Sequence, residues 1–571
     1  MKSKLVLLTL LSSLLFPLAL PNELMLQGSP VLGLFCLSFF FWAIYESPSF
    51  RFASFLGVLF GAISTLLANY WLKNFNEYAF YTLGGVTLGY VGLNALLAPI
   101  IHGFSRLGPA VRPFLTALLF AVYEYLKSTG FLGYPWGLIA YPPHTILPFI
   151  QFVDITGLWG LSFLCAYFNS LLAEAMVLRF TFAFRGIAYL RYRRTMNLKG
   201  MSLFAASLML IACAYGSARL LAGFPATKNF RVLLVQQNID PWDQGKDRKG
   251  ITAAIEVTRK GLRASRDRYR ALPDLVVWSE TALRSPVDAE EARPFGEDAS
   301  NYYSFYFPNL FQEFGTPALT GAPVKTSLPG RYYNAAILVT PDGRVTDVYA
   351  KQHPVPFVES IPFMELEPVR EFFNNNLHLY NFWLMGKKAS VFTLPIAGGE
   401  TVRFGVPICF EDVFPDLCRE FVRNGAEVLI NISNDSWSET RSALTQHIAA
   451  ARFRAIETRT PLVRSTNAGL TSVIAPTGQI TASIPLFERR FLLADVPVAG
   501  TQSVTLYTLF GDYLPYLFTL YLIAFLALHA WRTPFQNAIA RLRGARTTSF
   551  EKRSGGKRSH LRNSQNQKKD S

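Results

Sequence analysis

Residues 402–412 read Val402-Arg403-Phe404-Gly405-Val406-Pro407-Ile408-Cys409-Phe410-Glu411-Asp412. A largely apolar, strand-like run ends in a thiol, and two acids and a predicted helix over 411–423 follow at once, which is how a chain presents a nucleophile. Two other short apolar runs end in chemically useful groups. Leu275-Val276-Val277-Trp278-Ser279 leads to Glu280, and Val348-Tyr349-Ala350 leads to Lys351. A base, a cation and a thiol therefore each close a predicted strand.

Around these runs the period-2 pattern predicts a mixed α/β domain over 223–512 with a buried sheet. Further strands are expected at Arg231-Val-Leu-Leu-Val235, at 318–322, at Glu427–Ile432, at Leu462–Ser465, at Thr471–Ala475 and at Gln479–Ile484. Tyr333–Val339 and Arg344–Tyr349 flank Pro341-Asp342-Gly343, a hairpin signal. Helices are expected at 248–271, 300–315 and 440–458. Residues 360–390 break the pattern with Phe363, Met364, Phe372, Phe373, Leu379, Tyr380, Phe382, Trp383, Leu384 and Met385, an apolar lid or arm suited to a lipid interface.

The rest of the chain belongs to a different solvent. Of 571 residues 50% are hydrophobic and mean hydropathy is +0.22, above what a soluble globule carries. The excess lies in apolar stretches at 4–21, 29–45, 54–73, 80–101, 111–126, 150–177 and 201–222, and again at 514–531, each near the ~17–25 residues that cross a bilayer as a helix. Eight transmembrane helices are expected: seven in 1–222 and one at 513–531. Arg179, Arg185, Arg191, Arg193, Arg194 and Lys199 lie in 179–200 and no Lys or Arg lies in 22–28, so the positive-inside rule places the N-terminus and the 179–200 loop in the cytoplasm. The tail 532–571 carries eleven Lys and Arg against Glu551 and Asp570, a net +9 of the chain's +16. It reads as a disordered, lipid-facing cytoplasmic tail rather than a nucleic-acid arm, since its charges are interleaved mostly with Ser, Gly, Asn and Gln. Eight crossings with both termini inside put 223–512 outside. Cys36, Cys165 and Cys213 fall in spans, Cys418 reads as a structural thiol, and no metal or cofactor motif appears.

Taken together, Trp278-Ser-Glu280-Thr, Tyr349-Ala-Lys351-Gln-His-Pro-Val-Pro-Phe-Val-Glu359, Ile408-Cys409-Phe-Glu411 and Asn431-Ile-Ser-Asn434-Asp435-Ser-Trp437 resemble the nitrilase, or carbon-nitrogen hydrolase, superfamily. Ala451-Arg-Phe-Arg-Ala-Ile-Glu457 and Arg464-Ser-Thr-Asn467-Ala-Gly469 extend the likeness. With eight spans, the chain resembles that superfamily's membrane branch, the apolipoprotein N-acyltransferases, over almost everything before residue 532. The resemblance implies an αββα sandwich and a Glu-Lys-Cys triad without cofactor: Cys409 as nucleophile, Glu280 as proton acceptor and Lys351 as oxyanion stabiliser, with Glu359 and Glu411 in support. It also implies a substrate entrance at Trp242, Phe410 and Trp383. The implied reaction moves a fatty acyl chain from a phospholipid, through a thioester, to the N-terminal amine of a diacylated apolipoprotein, at the outer face of a bacterial inner membrane. The alternative is a membrane-tethered amidase or nitrilase. Phe410 and Val358 stand where the family carries tyrosine and glycine.

Overall fold

The computed structural model describes residues 2–530 apart from 131, 183–196, 241, 244, 289–308, 329, 362, 365, 377–382 and 501–503. The tail 532–571 and most of the 179–200 loop therefore lie outside the described residues. Two compact units divide the chain, Met1–Pro515 and Tyr516–Ser571.

Alternation of side chains along the strands builds the sheet-rich part of the first unit. In β1 (Lys228–Gln236), Phe230, Val232 and Leu234 share a buried cluster with Phe404 and Ile430. Their neighbours Leu233 and Val235 turn the other way, onto Ile251, Ala254 and Ile255 of helix Lys246–Tyr269. The same switch runs along β2 (Leu275–Val277), where Leu275 and Val277 face one cluster and Val276 the other. Strands with both faces apolar can only be buried between layers.

The first sheet continues through β3 (Ala318–Lys325), β4 (Tyr332–Val339), β5 (Val345–Ala350) and β6 (Trp383–Leu384). The second is formed by β7 (Val391–Pro395), β8 (Thr401–Gly405), β9 (Val428–Ser433), β10 (Leu462–Thr466), β11 (Ser472–Ile474) and β12 (Ile480–Ser483). Finally β13 (Arg490–Val498) returns to the first sheet, antiparallel to β1 from Lys228↔Val498 to Gln236↔Arg490. Helices Pro415–Arg423 and Arg441–Thr458 cover the outer face of the second sheet. Gly405 permits the close approach, because a Cβ there would sit 2.5 Å from the Phe421 ring. The layers are helix, sheet, sheet, helix.

Six described helices are long and apolar enough to span a bilayer: Lys2–Ala19, Phe50–Ala68, Ala79–Arg106, Val153–Phe180, Leu198–Ala222 and Tyr513–Ala530. They mark a multi-pass membrane protein. The other two expected spans are shorter. Arg112–Ser128 has 17 residues, and 29–45 is split into Pro30–Gly33 and Ser38–Tyr45.

Acids in these segments have specific partners. Glu174 is held by Arg112 through a forked pair at 2.7 and 2.8 Å. Glu124 accepts from the Ser162 hydroxyl at 2.5 Å and the Ile139 N–H at 2.7 Å. Asp154 pairs with Arg459 at 2.7 Å.

Helix Arg441–Thr458 joins the two parts of this unit. Every residue from Ser442 to Thr458 is buried. The Gln446 carboxamide accepts from the indoles of Trp71 (3.1 Å) and Trp136 (2.6 Å) and donates to the carbonyls of Pro21 (2.8 Å) and Ala68 (3.2 Å).

Candidate active site

Glu280, Lys351 and Cys409 each follow a strand, and the three strand ends converge. Glu280 lies in the turn after β2, under Gly321 of β3. A Cβ on Gly321 would stand 2.4 Å from the Thr281 nitrogen and 2.8 Å from the Glu280 Cα. Lys351 follows β5, and its N–H donates to the Asn334 carbonyl at 2.9 Å. Ile408 bridges to Ile432 of β9, and Cys409 then opens a 3₁₀ turn, Cys409–Val413, with φ at 55°. A non-glycine residue in the left-handed region is strained. The turn is held there from outside: the Asn431 amide donates to the carbonyls of Pro407 (3.0 Å) and Cys409 (2.9 Å).

Lys351 is 1% exposed and lies between two carboxylates, Glu280 at 3.2 Å and Glu359 at 2.8 Å. Burial opposes its charge, but Glu280 and Glu359 outweigh that cost and hold its pKa well above the usual lysine value. Lys351 is therefore a fixed cation. Glu280 Oε1 also accepts from the Asn334 amide at 2.9 Å, and Oε2 from the Asn434 N–H at 3.0 Å. One lone pair on Oε2 is left by these bonds. Burial, reinforced by Glu280, pushes the Cys409 thiol well above its ordinary pKa, and Lys351 only partly opposes this. A nucleophilic use of this sulfur would therefore require a base.

Glu359 and Glu411 do different things. Glu359 touches the lysine and also bridges to Asn334 at 2.9 Å. Glu411, fully buried, accepts instead from the backbone N–H groups of Gln352 (2.6 Å), His353 (3.0 Å) and Ile408 (2.8 Å) and from the Tyr349 hydroxyl (3.0 Å). It ties the segment after the lysine to the residue before the cysteine. Burial pushes its carboxyl up to about 7, against the pull of those donors.

Phe410 is buried edge-on against Phe414, with ring centroids 4.8 Å apart, and faces Tyr134 at 6.3 Å. It belongs to a floor shared with the Tyr134-Pro-Trp136 loop. Trp383 is half-buried in β6, paired with Tyr332, so this part of 360–390 is sheet rather than arm. Trp242 is 41% exposed in the loop after β1, its N–H on the Asp240 carboxylate at 2.8 Å. Phe363, Leu366 and Phe372 are exposed, and helix Glu367–Asn376 buries no residue. Leu379, Tyr380 and Phe382 lie outside the described residues. Val358 is not among the left-handed residues, whereas its neighbour Phe357 has φ 66°. The substitution for glycine thus costs no backbone strain at its own position.

Sequence reasoning missed Asn334, which bridges the two carboxylates, and His447, which sits between Asp412 and Asp435. Asn334 has no local signature. Among the described residues no group of three or more His, Cys, Asp or Glu side chains is arranged to hold a metal ion.

Residues 231–505 match the family model described as carbon-nitrogen hydrolase, and residues 12–171 match the one described as apolipoprotein N-acyltransferase N-terminal domain. Apolipoprotein N-acyltransferase 2 of Treponema denticola is 37% identical over 519 residues, covering 90% of this chain and 95% of its own. Apolipoprotein N-acyltransferase 2 of Treponema pallidum is 36% identical over 508 residues, 85% of this chain and 88% of its own. Apolipoprotein N-acyltransferase of Borreliella burgdorferi is 31% identical over 519 residues, 90% and 93% of the two chains.

Proposed function

Because the chain belongs to the apolipoprotein N-acyltransferase family, we propose that it moves a fatty acyl chain from a phospholipid to the N-terminal amine of a diacylated apolipoprotein, with Cys409 as the carrier. The observation that supports this reading is the doubly ion-paired Lys351 beside a buried thiol and a carboxylate with one open lone pair.

In the first half-reaction Glu280 takes the thiol proton and the sulfur attacks the ester carbonyl of the phospholipid. The Lys351 ammonium faces the oxyanion of the tetrahedral intermediate, where a fixed charge in a dry site is worth most. Collapse breaks the C–O bond, and the lysophospholipid oxygen leaves with the proton from Glu280. In the second half-reaction the amine attacks the thioester, Glu280 receives its proton, the C–S bond breaks, and Glu280 passes that proton to the departing sulfur, restoring thiol and carboxylate as the amide forms. Glu359 keeps Lys351 charged and aimed; Glu411 sets the backbone on either side.

The proposal includes the topology. Eight crossings, counting the two shorter elements, leave both termini and the basic 532–571 tail in the cytoplasm and 223–512 on the outer face of the inner membrane. There the exposed Phe363, Leu366 and Phe372 meet the lipid interface and Trp242 stands at the entrance.

The test uses full-length protein in detergent with phospholipid and a diacylated lipopeptide. Wild type is expected to gain one acyl mass on Cys409 and to convert the peptide to its triacylated form, and Cys409→Ala to do neither. Acylated Cys409→Ala, or hydrolysis of a small amide with no peptide acylation, overturns the reading, the latter in favour of an amidase.

A further inference from the structure

The triad does not account for one buried, charged cluster at its edge. His447, on helix Arg441–Thr458, which is buried from Ser442 onward, places Nε2 at 2.7 Å from Asp412 and Nδ1 at 3.1 Å from Asp435. Arg464 of β10 closes the cluster by pairing with both aspartates, and Asp435 also accepts from the Ser433 hydroxyl at 2.5 Å. The Trp136 ring packs on the imidazole, centroids 5.5 Å apart. Arg464, Asp412 and Asp435 are the charged groups that act most strongly on the ring.

Two carboxylates flank one imidazole. A neutral ring would aim a lone pair at one of them, so the geometry requires both nitrogens to donate. Two aspartates, Arg464 and an imidazolium sum to zero charge, which is what a buried cluster needs. Asp412 is three residues past Cys409, in the same 3₁₀ turn. Asp435 follows Asn434, whose N–H fixes Glu280 Oε2. One side chain thus links the turn of the nucleophile to the loop that holds the base.

We propose that His447 is a positioning residue of the reaction: as an imidazolium bonded to Asp412 and Asp435, it sets the Cys409 turn against the Glu280 carboxylate. The proposal rests on the reading of Cys409 as nucleophile. The two aspartates, outweighing burial and Arg464, raise the His447 pKa to about 9. The charged form therefore persists through the ordinary histidine range and is lost as pH rises through about 9. Lys351, held well above its usual value, stays charged through that window.

The experiment compares wild type and His447→Gln, full-length in detergent, by rapid-quench mass measurement of acyl-Cys409 across pH with phospholipid as donor. His447→Gln is expected to slow thioester formation about 10- to 100-fold with the phospholipid KM within about twofold. The wild-type rate is expected to fall through pH about 9, and the variant to lack that alkaline limb. A variant within about twofold of wild type overturns the proposal, as does a slowed variant that keeps the limb.

Should His447→Gln not accumulate as folded protein, Asp412→Asn is read in its place. With one carboxylate gone, the limb should move down by about one pH unit, and an unmoved limb overturns the proposal. If wild type forms no acyl-Cys409 but hydrolyses an amide, acyl transfer fails as the function, and the limb is then read on hydrolysis.

Discussion

Glutamine at position 411 is the most informative single change. The Glu411 carboxylate takes three backbone N–H donors and a phenol, and it is fully buried. Glutamine keeps the shape but has one acceptor oxygen. With that oxygen toward Gln352 and His353, the NH₂ group meets the Ile408 N–H across a former 2.8 Å bond; turned the other way, two backbone donors lose their partner. The cheaper arrangement loses one charge-assisted bond and buries an unsatisfied donor, about 3 kcal/mol in all. That cost falls on Ile408, the residue before Cys409. Expressed in the barrier, 3 kcal/mol is about a 100-fold slower reaction.

Glu411→Gln should therefore form acyl-Cys409 about 100-fold more slowly than wild type, with phospholipid KM unchanged within about twofold, by rapid-quench intact mass. Stability supplies a second readout. A carboxyl raised to about 7 contributes stability that is fully present below the ordinary glutamate pKa and is lost as pH rises through about 7. The melting temperature of wild type should thus decline relative to the variant between about pH 5 and 7. A variant that acylates within about twofold of wild type refutes the assignment of Glu411 as the tie between the two backbones.

Glu359→Gln leaves Lys351 with one of its two carboxylates and should slow acylation at least about 10-fold in the same assay. Gly321→Ala pushes a methyl onto the backbone of Glu280 and Thr281; it should lower both the melting temperature and the acylation rate, whereas Gly330→Ala, with open space around its Cβ position, should leave the rate unchanged. Arg112→Met strands the buried Glu174 charge and should cost about 3–5 kcal/mol, seen as a lower melting temperature in detergent. Adding Glu174→Gln to Arg112→Met should recover part of that loss.

The strands next to the site were legible because each is a short apolar run with a sharp end. β13 was not, because Arg490-Phe-Leu-Leu-Ala-Asp-Val-Pro-Val498 mixes charges and a proline into the run, and only pairing with β1, far away in sequence, makes it a strand. Glu280, Lys351 and Cys409 could each be placed at the end of an apolar run, yet the left-handed backbone of Cys409 could not be foreseen, since its φ is imposed by Asn431 and Glu411 rather than by a local glycine. Glu411 was expected in support of the site without a defined contact, and it holds backbone, a detail that depends on which N–H groups the fold brings to it. His447 was invisible for another reason. On a helix buried on all sides no face is polar by pattern, so a histidine there carries no signal until its neighbours are placed. The 29–45 stretch shows the converse, an apolar run long enough on paper that folds as two short helices around a turn.

The plug of Gln446 into Trp71, Trp136, Pro21 and Ala68 has a consequence for the order of assembly. All four partners are synthesised some 300 residues or more before Gln446 itself. When helix Arg441–Thr458 leaves the ribosome, its receptor must already be standing in the bilayer. A part excised from residue 223 onward would strip that carboxamide of all four partners and Arg459 of Asp154, so the α/β layers are not a self-contained unit carried on a detachable anchor. Its chemistry comes into being last, on a scaffold laid down first.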